Sequence, residues 1–387
     1  MELKKSRGSS SISLAAVGDI MLGDHPVRLG LGVRSTAEKA GAEFLFSQTQ
    51  GLWEGCDIVF GNLEVPLSDK GLERDQIASM EFRGAPSSVP ALQRAGFTVL
   101  NIANNHCMEH GPEVFWETVT NLQRNDVFAA GIKGKDGRCV PYEFEKDGQR
   151  AILLAYSLRA ENYAKRQDVP YCLSDEAEII DDVLRHSRCA DIVIVSLHWG
   201  EEFMTYPSPR QVVLGHELVE AGAKLILGHH PHSLQGVETY KRGVIVYSLG
   251  NFIFDMWQRI TRKTMLFSAI LSKGLAPSFR ITPLLIGDGF QPKPLNGLQA
   301  ERMHREIEGL NRIIINRYAG LNGIGQSTLD KLENQYQRLA RKAYLRHRLE
   351  NYLYFLAHIH QYKMPVIWQS FRRSFLRRME EVGSRLS

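Results

Sequence analysis

Short apolar runs, each closing on glycine or a polar residue, recur along roughly the first 290 residues of the chain. They occupy residues 12–17, 57–61, 98–103, 151–156, 192–197, 224–227 and 244–249. Runs this short, bounded by turn residues, predict buried β-strands. Amphipathic stretches at 90–95, 113–124, 176–185 and 210–221 predict helices between them. Alternation of the two predicts an α/β layered fold. Residues 264–272 and 278–283 read as a pair of strands joined through Gly274 and Pro277. The Gly- and Pro-rich stretch 285–298 reads as a boundary loop, and from 299 onward long helical patterns take over, broken once at 320–325. The pattern therefore predicts an α/β body over 11–290 and a helical extension over 299–387.

Charge divides the chain in the same place. The net charge is +4, but residues 301–387 hold 16 Lys+Arg against 8 Asp+Glu, so the extension carries +8 and the rest −4. Within it, 364–381 reads as a basic amphipathic helix. Ile367, Trp368, Phe371, Phe375 and Met379 lie on one side, and Arg372, Arg373, Arg377 and Arg378 crowd the others. Such a helix either packs on the protein body or makes a peripheral membrane contact. No nucleic-acid motif accompanies the basic residues, so no nucleic-acid partner is expected.

Hydrophobic residues make up 43% of the 387 and charged residues 23%, the balance of a soluble globular protein. No run approaches the roughly 18 apolar residues of a membrane span. The run at 12–17 leads straight into Gly18-Asp19, so it reads as a core strand rather than a signal peptide, and a cytoplasmic protein is expected. Cys56, Cys107, Cys139, Cys172 and Cys189 are odd in number and form no CxxC pair, which excludes a disulfide framework or zinc ribbon. Cys107 reads as packing filler.

The candidate chemistry lies just beyond the apolar runs. The strands lead into Gly18-Asp19, Gly61-Asn62-Leu63-Glu64, Asn104-Asn105-His106, His198-Trp199-Gly200-Glu201, Gly228-His229-His230-Pro231-His232 and Gly250-Asn251. Ligands of open α/β sheets bind beyond the carboxyl ends of the strands. Six strands therefore deliver Asp, Glu, Asn and His to one rim. A lone Gly-Asp or Asn-Asn-His reads as an ordinary capped turn, His229-His230-Pro231-His232 is stronger because three histidines in four residues are rare without a ligand role, and the six together read as a site. Hard oxygens with imidazole and no thiolate suit a divalent transition metal, Mn, Zn or Fe, as one ion or two. A carboxylate flanked by His and Asn suits a pair of ions, which can hold a phosphate and activate water. His186 and His216 fall in helical stretches and read as surface or packing residues.

The same motifs, in this order and spacing over about residues 11–285, resemble the capsule-biosynthesis CapA family of poly-γ-glutamate synthesis proteins. That family is similar to the calcineurin-type metallophosphoesterases, which implies a two-sheet α/β sandwich. The resemblance further implies metal ligation by Asp19, Glu64 as bridging carboxylate, Asn105, His198, His230 and His232. His229 is the alternative donor if the register shifts by one. His106 is implied as the catalytic acid or base, with Glu109 beside it where the family carries Asp. Asn62, Asn104, Glu201, His229 and Asn251 complete the set as substrate-binding candidates. Met21 stands where the phosphoesterases place a histidine ligand. The implied role is in synthesis or release of an extracellular polymer, through a metal-dependent hydrolase-type site. An anionic polymer or a small phosphate-containing molecule is the implied substrate, and polymer-synthase subunits are the implied partners. A non-catalytic metal- or phosphate-binding accessory subunit is the alternative.

Overall fold

Strands that must hide both faces are apolar at every position, and the first strand shows why this chain has several of them. In the computed structural model, which describes residues 11–160, 169–321 and 323–372, β1 (Ile12–Ile20) is buried at all nine positions. Its residues Leu14 and Ala16 pack toward a second sheet, with Ile58, Phe60, Leu153, Ile194 and Leu225. Ala15 and Val17 pack the other way, into a cluster shared with covering helices. Burial on both faces explains the continuous apolar runs.

The chain builds the sheets in turn. β1, β2 (Ile58–Leu63), β3 (Val99–Asn101) and β4 (Phe128–Ala130) form the parallel half of the first. β5 (Tyr142–Lys146), β6 (Gln149–Ser157), β7 (Ile192–His198), β8 (Ala223–His229), β9 (Val237–Tyr240) and β10 (Gly243–Val246) form the second, in the order β5-β6-β7-β8-β10-β9. The chain then returns to the first sheet. β11 (Asn251–Ile253) pairs parallel to β1, and β12 (Lys263–Leu271), β13 (Ser278–Ile286) and β14 (Pro292–Pro294) extend it antiparallel. The result is the expected two-sheet α/β sandwich.

Short helices α1 (Val33–Ala40), α2 (Ile77–Met80) and α3 (Val89–Arg94), then α4 (Pro112–Gln123), connect the strands of the first sheet. α5 (Glu176–Ser187) and α6 (Pro209–Ala221) serve the second. Each of the last two opens on a reciprocal capping box, Asp175 with Glu178 and Ser208 with Gln211. α7 (Gly297–Arg317) and α8 (Gln326–Ala357) come next, separated at the predicted break. α7 is tied to the body by Asn311, whose Oδ1 accepts from the Val237 N–H at 2.7 Å. α8 is tied by Tyr336, which donates to the Tyr206 carbonyl at 3.1 Å, and by Asp330, 2.8 Å from Arg210.

Two expectations change. The stretch 285–298 is not simply a loop: it holds the end of β13, all of β14 and the start of α7. Pro292 and Pro294 mask β14 in the sequence, yet proline is tolerated on an edge strand that has a partner on one side only. His186 and His216, read as surface or packing residues, are narrowed to packing residues, being 7% and 8% exposed. His216 stacks on Tyr240 at 3.7 Å and sits 3.1 Å from Glu238. Of the 364–381 helix, residues 364–372 are helical, and 373–381 lie outside the described residues.

Candidate metal centre

Register places the first carboxylate between two amides. Asp19, near the end of β1, is opposite Asn62 on β2 and Asn251 on β11. Across the sandwich, His198 closes β7 opposite His229 at the end of β8. Two glycines make these approaches possible. A Cβ on Gly18 would lie 1.8 Å from the Gly250 carbonyl oxygen, and one on Gly228 would lie 2.0 Å from that of Tyr247. No side chain larger than hydrogen fits at either place.

The rims of both sheets meet on Glu64, just past the end of β2. Its Oε1 lies 3.6 Å from His198 Nε2 and 3.7 Å from His232 Nε2, and both carboxylate oxygens are buried without a hydrogen bond. Asp19 lies 3.2 Å from His229 Nδ1 and 3.4 Å from His232 Nδ1. Candidate ligand atoms gather within 4.8 Å of one another in three sets: Asp19-Glu64-His232, Glu64-His198-His230 and Glu202-His230-His232. Glu64 is common to the first two. Asn105 adjoins the second set, its Oδ1 2.7 Å from His198 Nε2. His230 also has both ring nitrogens buried and unpaired. Orphaned buried oxygens and nitrogens facing one space are costly unless something binds them, and this donor set fits a divalent cation.

Backbone strain is concentrated here too. His230 and His232 adopt φ of 94° and 54°, and Phe203 opposite them 65°. Left-handed conformations of bulky residues cost about 1–3 kcal/mol each. They are held by the Phe203 N–H on the Pro231 carbonyl at 2.8 Å and the His230 N–H on Asp19 at 3.3 Å.

The electrostatics divide the cluster into two kinds of group. Burial pushes the Glu64 carboxyl well above the ordinary carboxylate range, and neighbouring Asp19 pushes it further. Burial works against Asp19 as well, but His229 and His232 outweigh it and hold that carboxyl below its usual range. For His232, burial opposes protonation, yet Glu64 and Asp19 raise it to about 9. Burial depresses His198 and His230 well below the ordinary imidazole value, helped at His230 by His198. His198 and His230 are thus held in the neutral state a metal requires, whereas His232 and Glu64 must each release a proton to ligate one.

Several expected substrate contacts are occupied within the protein. Asn62 donates to Asp19 at 2.8 Å and accepts from Asn101 at 3.0 Å. Asn104 donates to the Leu63 carbonyl at 2.8 Å and accepts from the His106 N–H at 3.1 Å. Asn251 Oδ1 lies 2.9 Å from His232 Nδ1, and its amide donates to the Thr261 carbonyl at 3.0 Å. Asn62 and Asn251 thus hold the ligand-type residues Asp19 and His232, and Asn104 braces the backbone at Leu63 and His106. Glu201 pairs with Arg159 at 2.9 Å, and the neighbouring Glu202 joins the cluster instead. His106 and Glu109 meet at 2.7 Å, so the longer carboxylate still reaches the ring. Met21 is fully buried in the apolar core. Cys107 is buried and its thiol donates to the Asn104 carbonyl at 3.1 Å.

Three residues without a strand-end signal reach the rim. Asn101 props Asn62. His25 packs edge-on against Phe82 at 5.3 Å, and Phe82 in turn faces His106 at 4.4 Å. His347, from α8, stacks on Phe203 at 3.7 Å. Burial lowers His347 to about 4, with His232 contributing. A separate open cleft near Arg138, Cys139 and Asp182 brings no such cluster together, and Arg138 there is paired with Asp181 and Asp182 at 3.3 and 3.0 Å.

The chain has relatives. Residues 13–256 match the family model described as bacterial capsule synthesis protein PGA_cap. The chain is 32% identical to capsule biosynthesis protein CapA of Bacillus anthracis, covering 78% of this chain and 74% of that one. It is 31% identical to PGA biosynthesis protein CapA of Bacillus subtilis, covering 78% and 79%. A 5'-nucleotidase precursor from Thermus thermophilus superposes with a TM-score of 0.44 at 11% identity, over 79% of this chain and 59% of that one. On the extent of the family match and the identity to both CapA proteins, this chain belongs to the bacterial capsule synthesis family PGA_cap.

Proposed function

We propose that the rim is a divalent-metal site of hydrolase type, used in the synthesis or release of a poly-γ-glutamate-like extracellular polymer. One observation carries the reading: Glu64, with both oxygens buried and unpaired, is shared by two sets of ligand-type atoms. A carboxylate so placed suits a bridging role between two ions. Asp19 and His232 would complete one position; His198, His230 and Asn105 would complete the other. A cation bound there supplies Lewis acidity toward a phosphoryl or acyl oxygen. The chain's own residues do the remainder. Asn62 and Asn251 fix the ligands Asp19 and His232 and Asn104 braces the His106 backbone, while Glu109 holds the His106 imidazole at the half-open edge of the site for proton transfer to or from a leaving group. An anionic polymer or phosphate ester is the substrate class, and polymer-synthase subunits are the partner class. Met21 favours the second reading, a non-catalytic accessory subunit, because it leaves one ligand position without its histidine.

Metal analysis of protein purified without chelator, combined with turnover on phosphate esters and γ-glutamyl peptides, separates these. Bound transition metal with turnover that Glu64→Ala abolishes supports the enzyme. Bound metal with no turnover supports the accessory role, and protein that takes up no metal defeats both metal readings.

A further inference from the structure

α8 is apolar on two opposite sides. Its inner seam is Leu329, Tyr336, Ala340, His347 and Phe355, all buried against the body. At 100° per residue, Leu345, Leu349, Tyr352, Leu353 and Leu356 fall on the far side, where they are 51, 60, 39, 57 and 50% exposed. This outer seam runs roughly 17 Å along the helix. The separate helical stretch 364–372 exposes Met364 and Trp368, at 67 and 71%, while Phe371 packs edge-on against Phe355 of the inner seam at 6.1 Å. Those residues are also anchored: the Gln369 amide donates to the Asp75 carbonyl at 2.7 Å and its oxygen accepts from the Ile77 N–H at 2.9 Å. An apolar seam facing outward on a helix whose opposite side is already packed is not what core packing requires.

Charge says what covers it. Between Glu333 and Glu350, α8 carries Arg338, Arg341, Lys342, Arg346 and Arg348 and no Asp or Glu. Arg338, Arg341, Lys342 and Arg346 are exposed beside the leucines, and Arg346 reaches Glu350 at 2.9 Å. A second copy docked seam to seam in parallel would set these cations against one another, and one docked antiparallel would leave them without a counter-charge, because residues 351–362 carry no Asp or Glu. A purely acidic polymer would leave the leucines uncovered. We propose that the outer seam of α8 with residues 364–372 lies flat in the surface of an anionic lipid bilayer, leucines and Trp368 among the acyl-chain boundary and the Arg/Lys row on the headgroups. α8 begins beyond residue 256, where the family match ends, so the seam is a feature of this chain's extension. The inner seam carries His347 against Phe203, and the same helix therefore sets the metal centre at a fixed distance from the membrane. The inference stands whether or not that centre is catalytic.

Co-sedimentation of the full chain with vesicles tests this, using phosphatidylcholine alone and phosphatidylcholine with about 30% phosphatidylserine. The protein should pellet with the anionic vesicles, and release as salt shortens the Debye length. Leu349→Glu/Leu353→Glu should weaken partitioning by tenfold or more, the scale of losing one buried leucine. Arg341→Glu/Lys342→Glu should weaken it too, and both variants should keep the wild-type melting temperature because the changed residues are exposed. Should the leucine pair fail to fold, Leu345→Ser/Leu356→Ser gives the same reading. Wild-type protein that stays in the supernatant at low salt overturns the proposal. So does binding that survives loss of the leucines, which marks a plain polyanion patch, or a wild-type dimer that the leucine variants dissociate.

Discussion

Replacing Glu64 by Gln changes one charge and almost no volume, so it isolates what the carboxylate does. Both oxygens are fully buried and make no hydrogen bond, and the side chain belongs to two of the three ligand sets. An amide offers one neutral oxygen in place of two anionic ones and turns an N–H donor toward the cation. Glu64→Gln should therefore lose most bound metal from both positions. Its size comes from linkage: a site held at one hundred times its Kd stabilises the fold by about 2.7 kcal/mol. Unfolding entropy near 2.1 cal/mol/K per residue over 387 residues comes to about 0.8 kcal/mol/K. Removing metal from one site should thus lower the melting temperature by about 3 °C, and from two sites by about twice that. Thermal unfolding with and without EDTA, alongside metal analysis by mass spectrometry, reads both quantities. Wild-type protein should show the chelator shift and Glu64→Gln should not. In EDTA the variant should melt at or above the wild type, because it no longer confines a carboxyl beside Asp19. Wild-type metal content and an undiminished chelator shift in Glu64→Gln would refute the bridging role.

Other parts of the structure give three more outcomes. Burial, with Asp24 beside it, raises the Asp255 carboxyl from an ordinary 3.8 to about 8. The folded state therefore binds the proton more tightly than the unfolded one, and this contribution, full below pH 4, is lost as pH rises through about 8. Asp255→Asn keeps an oxygen for the His25 N–H and should flatten that decline in a series of melts from pH 5 to 8; an unchanged slope would exclude Asp255 as its source. Gly18→Ala forces a Cβ onto the Gly250 carbonyl, so expression should fall or stability drop by more than about 3 kcal/mol, and a melting temperature within a degree of wild type would show that the strands can separate there. His216→Ala removes a buried partner of Glu238 and should cost about 1–3 kcal/mol with metal content unchanged; metal loss equal to that of Glu64→Gln would place His216 in the site.

Much of this was legible along the chain because strand ends are local. An apolar run that stops on Gly-Asp or Gly-His announces both a buried strand and a polar residue at its carboxyl end. Asp19, Glu64, Asn105, His198, His230 and His232 could all be named this way, and the resemblance sharpened their roles. The texture change near residue 299 was equally local, since helical periodicity and charge shift together. What the chain did not reveal depended on partners distant in sequence or on a single turn. Three-residue strands such as β4 and β11 carry too little pattern to register and exist because β3 and β1 pair with them. Gly200, at φ 81°, turns the backbone after His198, and that turn decides that Glu202 rather than Glu201 faces the histidines. Asn62, Asn104 and Asn251 looked like substrate contacts, but their bonds to Asp19, Leu63, His106, His232 and Thr261 became visible only once the strands were side by side. The placement of His347 required a 32-residue helix to cross back over the rim. Sequence determined which residue types stand at the strand ends, because that choice is written in a few adjacent positions; tertiary structure decided which atoms remain unpaired for a ligand, because pairing is settled between different strands and loops, such as Asp19 with Asn62 and His198 with Asn105, 43 and 93 residues apart.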